Sequence, residues 1–270
     1  MRSLLLCTLA LLVLFGIVSA GTVTLTGSCV NYKIGSSTIP FTLSNSGNDT
    51  AYNLLITPVV PHAQTAQSLY NISSLGPGSS STLEVGISNI SEKGMSAAYF
   101  SLAYQQGSSV FTAVFPCLIP IKNATTSQVF VNINESAVEN GVADVRVNVF
   151  NAGADEETAN VSLILPSTFT YRSSPSILLS LAPHKGSNVT FSLGFPAGYQ
   201  ASYSVAAVAS YSKDNLSYTS LMTFLISSSG SSRESIFGSL LFDAAIALVA
   251  LVLILILISL RKKRRKPRSS

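Results

Sequence analysis

Tryptophan is absent from this chain, histidine occurs twice, cysteine three times, and only 10% of the residues are charged. Each scarcity excludes something. The two histidines, His62 and His184, each follow a proline, and no serine stands in a Gly-x-Ser-x-Gly context. Nucleophile–histidine chemistry therefore has no recognisable motif to act through, and no His/Cys cluster has metal-ligand spacing. The sequence is accordingly read as non-enzymatic, without a cofactor or a bound metal. Basic charge is also scarce where a phosphate-binding surface would need it. Seven of the sixteen basic residues lie between Arg261 and Arg268, and residues 21–234 carry eight basic against eleven acidic side chains. That balance argues against a nucleic-acid partner. The chain is nevertheless 47% hydrophobic, enough apolar surface to offset the entropy of ordering.

Long apolar runs occur at the two ends only. Residues 1–20 combine Arg2, an apolar stretch from Leu4 to Val18 and the small residues Ser19 and Ala20, which together read as a cleavable secretory signal. Cys7 would leave with it. Residues 240–260 form a second run, interrupted by Asp243 and Ser259. At helical rise it reaches about 31 Å, matching a hydrocarbon core of about 30 Å. The cluster Arg261, Lys262, Lys263, Arg264, Arg265, Lys266 and Arg268 follows at once, a positive-inside signal for residues 261–270 as a cytoplasmic tail. Asp243 falls in the first turn of the span, where it would cap the helix or pair with a partner helix. The expectation is one span, with the preceding domains outside the cell membrane.

Between these ends the chain repeats itself. The stretch Phe41-Thr42-Leu43-Ser44-Asn45-Ser46-Gly47 returns 106 positions later as Val147-Asn148-Val149-Phe150-Asn151-Ala152-Gly153. Leu75-Gly76-Pro77-Gly78 returns as Leu181-Ala182-Pro183-His184, and Phe111-Thr112-Ala113-Val114 as Tyr218-Thr219-Ser220-Leu221. Apolar residues alternate with polar ones at Ile39, Phe41 and Leu43, and again at Val145, Val147 and Val149, the period of a strand buried on one face. Short runs of this kind, divided by Gly, Pro, Asn and Ser, predict two tandem antiparallel sandwiches of about seven strands each. Their expected extents are 21–121 and 129–227, joined by a surface linker at 122–128 and followed by a Ser/Gly-rich stalk at 228–239. The Asn45/Gly47 and Asn151/Gly153 pairs are expected to supply positive backbone angles at turns.

The order Asn-x-Gly, Ala-x-Asn-aliphatic (Ala51-Tyr52-Asn53-Leu54), Leu-x-Pro-x resembles CARDB-type immunoglobulin-like domains of bacterial and archaeal surface proteins. The second copy departs from it by placing His184 where the first has Gly78. The resemblance implies spacer, adhesion or accessory modules on exported chains, with no active site. The lumenal domain of the translocon-associated beta subunits is similar too, with one sandwich where this chain has two.

The remaining candidates follow from export. Cys29 and Cys117, the two cysteines left after signal removal, are expected to form a disulfide that closes the first repeat, whereas Phe224 stands where Cys117 would recur. Asn48, Asn71, Asn89, Asn123, Asn134, Asn160, Asn188 and Asn215 all begin Asn-x-Ser/Thr triplets, against roughly four expected by chance, and are candidate glycosylation sites. Asp155-Glu156-Glu157 is a solvated acidic turn with enough oxygens to attract calcium. Tyr199, Tyr203, Tyr211 and Tyr218 are either strand-face residues or a binding face. The expected protein is membrane-anchored, with structural, adhesive or protein-interacting domains. An accessory subunit of a secretory membrane complex is the alternative, and a carbohydrate-binding or hydrolytic ectodomain comes third.

Overall fold

The computed structural model describes residues 21–29, 32–91, 93–139, 141–195 and 202–227. The predicted signal, stalk, span and basic tail, with Asp243 and the Arg261–Arg268 cluster, lie outside them. Among the described residues no helix is long and apolar enough to cross a membrane. All regular structure there is β.

The first half contributes β1 (Leu25–Ser28), β2 (Thr38–Asn45), β3 (Ala51–Val59), β4 (Gln64–Thr65), β5 (Tyr70–Leu75), β6 (Ser80–Ser88), β7 (Gly94–Gln106) and β8 (Ser109–Ile121). The second contributes β9 (Val129–Glu139), β10 (Val142–Asn151), β11 (Glu157–Ile164), β12 (Thr170–Tyr171), β13 (Ser176–Leu181), β14 (Gly186–Gly194), β15 (Ser202–Lys213) and β16 (Leu216–Ser227). In the first half the strands run β1-β2-β6-β4 in one layer and β5-β3-β7-β8 in the other. The second half repeats that order as β9-β10-β14-β12 and β13-β11-β15-β16. Two antiparallel layers with this crossed connectivity form an immunoglobulin-like sandwich. Each copy has eight strands rather than about seven, because the two-residue β4 and β12 are too short to leave a pattern in sequence.

Alternation fills both cores. Ile39, Phe41 and Leu43 on β2 are fully buried, as are Val145, Val147 and Val149 on β10. Phe41 stacks on Phe100 of the opposite layer with ring centroids 3.9 Å apart, which ties the two sheets of the first sandwich face to face. Cys29 and Cys117 form the expected disulfide, with Cα atoms 5.9 Å apart and a sequence separation of 88. It joins the end of β1 to β8 in the other layer. In the second sandwich Phe224 packs against the core instead.

The Asn/Gly pairs correct the turn expectation. None of Asn45, Gly47, Asn151 and Gly153 has a positive φ. Asn45 is buried, and its Nδ2 donates to the carbonyls of Asp49 (2.7 Å) and Leu75 (2.9 Å), while its Oδ1 accepts from Gly47 N (3.0 Å). Asn151 does the same to Asp155 O (2.8 Å), Leu181 O (3.0 Å) and Gly153 N (2.9 Å). The asparagine replaces missing backbone partners where the chain leaves the sheet. Crowding requires the glycine in the first copy, where a Cβ on Gly47 would overlap the Thr22 backbone carbonyl; a Cβ on Gly153 would first meet the end of the exposed Gln128 side chain, which can swing aside. Positive φ occurs instead at Gly78 (69°) and at its counterpart His184 (56°).

Candidate binding site between the two sandwiches

The sandwiches belong to one compact unit that ends at Ile226. Ala97 and Val114 point away from the first core and meet Ile164, Ala206 and Val208, which point away from the second. These five are buried, with Tyr99 and Leu221 packed around them. Small side chains on the outer faces of β7 and β15 let two sheets approach closely, and Val205-Ala206-Ala207-Val208-Ala209 is buried on both faces.

The connection at 122–128 is part of this junction. Thr125 Oγ1 donates to the Ser217 carbonyl (2.7 Å) and accepts from Met95 N (3.1 Å). Ser217 N donates to Lys93 O (2.7 Å), and Thr219 Oγ1 to Met95 O (2.9 Å). Gly94, at φ 113°, pairs with Ser217 in a single parallel bridge between β7 and β16. A side chain there would collide with the Ser217 carbonyl. Thr112 and Thr168 share a further hydroxyl contact of 3.0 Å. Residues 122–124 are exposed as a linker should be, but Ser127 is buried and Thr125 is engaged on both sides.

Beside this contact the sandwiches enclose an open cleft of about 700 Å³, within the usual range for ligand sites. Its floor is the outer face of β11, β15 and β16, including Asn160, Ser162, Ser210 and Thr219; the first sandwich supplies a wall from Pro61, His62 and the start of β7. No Asp, Glu, Lys or Arg lines it. The polar groups are hydroxyls, amides and one imidazole. Tyr171 donates to the Leu163 carbonyl (2.7 Å), and burial pushes its phenol up to about 12. Burial likewise raises Tyr99. Such a surface can hydrogen-bond and stack on a neutral ligand.

The other candidates are dispersed. All eight triplet asparagines are exposed, and Asn160 is the one that lines the cleft. His62 borders the cleft in a positive-φ turn, whereas His184 lies in the turn between β13 and β14 and is not among the lining residues. The acidic turn is partly compensated from within the fold: Lys213 Nζ lies 2.5 Å from Asp155 and 3.1 Å from Glu157, and Glu156 accepts from Ser180. Hydrogen bonding to Lys213 holds the Asp155 carboxyl below its usual range. Among the described residues no group of three potential ligands could hold a metal. Among the described residues, Tyr203, Tyr211 and Tyr218 do not assemble into an exposed face. Tyr203 is buried against Phe169 and Phe195, and Tyr211 stacks on Tyr218 at 5.0 Å, as Tyr104 stacks on Phe111 at 5.5 Å in the first copy. Tyr199 lies outside the described residues. The sequence reading missed Gly94, Thr125 and Ser217; its one available signal was the continuous small apolar run on β15, which implies burial on both faces.

No protein-family model matches the chain, and no curated protein does. Among solved structures it is similar to the YadV chaperone, at 11% identity and a TM-score of 0.30, over 75% of this chain and 99% of that one. It is also similar to trypsin-activated alpha-2-macroglobulin from Escherichia coli, at 8% identity and a TM-score of 0.31, over 76% of this chain but 18% of the macroglobulin. A chaperone–tip adhesion subunit complex of the Csu pili of Acinetobacter baumannii matches at 8% identity and a TM-score of 0.29, over 75% of this chain and 97% of that one. At scores this low nothing about the chain is taken from them, and the immunoglobulin-like fold rests on its own strand order.

Proposed function

We propose that this is a single-pass surface protein whose two CARDB-like, immunoglobulin-like sandwiches form one glycosylated, non-enzymatic arm for structural or adhesive contacts outside the membrane. The observation that carries the reading is the stitched junction. A flexible spacer needs no hydrogen bonds between its modules, whereas Thr125, Met95 and Ser217 join both sandwiches to their own linker. A stiff arm presents its outer surface at a set angle, which suits adhesion or docking within an envelope. Export, the span at 240–260 and the basic tail supply the anchor in this reading.

The test is topological and biochemical. Protease added outside intact cells should remove the sandwiches and spare a tag after Ser270, and crosslinking followed by detergent extraction should recover an envelope partner through the sandwiches. Digestion of the tag under those conditions would reverse the topology. Recovery of a membrane complex that survives deletion of both sandwiches but is lost when the span is scrambled would favour the accessory-subunit alternative.

A further inference from the structure

We propose that Asn160 carries an N-linked saccharide whose first sugar lies in the interdomain cleft, over Leu178, and braces one sandwich against the other. The inference rests on the reading of the chain as an exported glycoprotein, and it assigns one acceptor a specific task. Asn160-Val161-Ser162 is an acceptor triplet in the middle of β11, and both its asparagine and its serine line the cleft. In the sheet Asn160 sits between Leu178 on the edge strand β13 and Ser210 on β15. Leu178 is 72% exposed, the most exposed large hydrophobic side chain among the described residues, and it too lines the cleft. An uncovered leucine on an edge strand is a liability that surface proteins usually shield.

A sugar attached next to it answers both features. A pyranose offers a C–H face to an apolar side chain and hydroxyls to its rim, and this cleft places Leu178 and Tyr171 among Ser210, Ser212 and Thr158. Because no charged side chain lines the site, a neutral saccharide can displace water there without stranding an ion. The opposite wall is His62 and Tyr99 of the first sandwich, so a saccharide bonded to the second reaches across the junction. The bond forms between Asn160 Nδ2 and the anomeric carbon of a lipid-diphosphate-linked sugar. The diphosphate lipid leaves with the bonding pair, and Nδ2 gives up one proton. Transfer before β11 pairs with its neighbours meets no obstruction.

The experiment uses the full chain, secreted through its own leader in a glycosylating host and extracted in detergent. Glycopeptide mass spectrometry reads each acceptor, and an amidase that cleaves the Asn–sugar bond is applied to native and to denatured protein. Asn160 should be occupied, and its saccharide released about tenfold or more slowly than those on Asn71 and Asn188 in the native state, because the two walls, although open to solvent, leave an amidase no room at the Asn–sugar bond until they move apart. After denaturation the rates should converge. Asn160→Gln and Ser162→Ala should both speed proteolysis within 122–128, while Asn188→Gln should not. Occupied acceptors elsewhere with a bare Asn160, or native release as fast as at Asn71, overturns the inference and leaves the surface reading intact. Absence of modification at all eight acceptors removes the glycoprotein reading as well. A bare Asn160 in protein that takes up added neutral oligosaccharide assigns the cleft to a ligand in trans and overturns the covalent assignment.

Discussion

At the residue scale, the repeat is conserved in its hydrogen bonds more than in its letters. Asn45 and Asn151 each serve a carbonyl across the sandwich and a carbonyl four residues on, from buried positions. Removing the amide leaves those carbonyls without partners in a dry site. Asn151→Ala is therefore expected to cost about 3 kcal/mol, read as a lowered urea midpoint, with Asn45→Ala similar. A loss below about 0.5 kcal/mol would show that water replaces the side chain. The turns after β5 and β13 make an opposite pair. Proline precedes a positive-φ residue in both, glycine in one and histidine in the other. His184→Gly should stabilise by about 0.5–1 kcal/mol, as relief from left-handed strain exceeds the added chain entropy, and Gly78→Ala should destabilise by about 1 kcal/mol. Equal effects of either sign at the two sites would contradict the turn geometry. Tyr171 predicts a pH dependence. Its folded-state pKa is raised to about 12 by burial, so its contribution is complete below pH 10 and is lost as pH rises from 10 through 12. Stability measured at pH 8 and pH 11 should fall less for Tyr171→Phe than for the native protein.

At the element scale, the two sandwiches are held differently. The first closes its edge with the Cys29–Cys117 bond, which removes a loop spanning 88 residues from the unfolded ensemble. Its reduction is expected to cost about 4 kcal/mol on the chain-entropy account, seen as a drop in melting temperature that reductant does not produce in Cys117→Ser. The second places Phe224 at the equivalent strand position and relies on its core. The hairpins at the ends of β7–β8 and β15–β16 share a stacked aromatic pair, Tyr104–Phe111 and Tyr211–Tyr218. Strand propensity accounts for those tyrosines without a ligand. Spacing alone could not separate the two readings, because a period of two says that a residue faces in or out but not what covers the outer face.

At the scale of the whole molecule, the junction decides behaviour. Burial of Ala97, Val114, Ile164, Ala206 and Val208 between the sandwiches, with Thr125 bonded to both, predicts one cooperative thermal transition for residues 21–226 rather than two. Ala206→Glu would bury an unpaired charge in that contact and should split the calorimetric trace into two transitions while each sandwich stays folded. Two resolved transitions in the native protein would refute the coupling.

Strand alternation, the repeat offset of 106 positions and the two cysteines beyond residue 20 were sufficient for the all-β class, the duplicated sandwich and the staple, because each depends on local periodicity or on pair counting. The roles of Asn45 and Gly47 were misread as turn angles, since a buried amide that bonds a carbonyl thirty residues away leaves the same letters as a turn. The cleft and the junction lay further out of reach. They are made where outward faces of two sheets meet, and outward residues such as Ala206, Asn160 and Leu178 obey no period that distinguishes solvent from a neighbouring domain. Only the tertiary structure brings Leu178 beside Asn160 and sets both against the wall of the first sandwich, because that proximity is fixed by strand register and by domain contact rather than by distance along the chain.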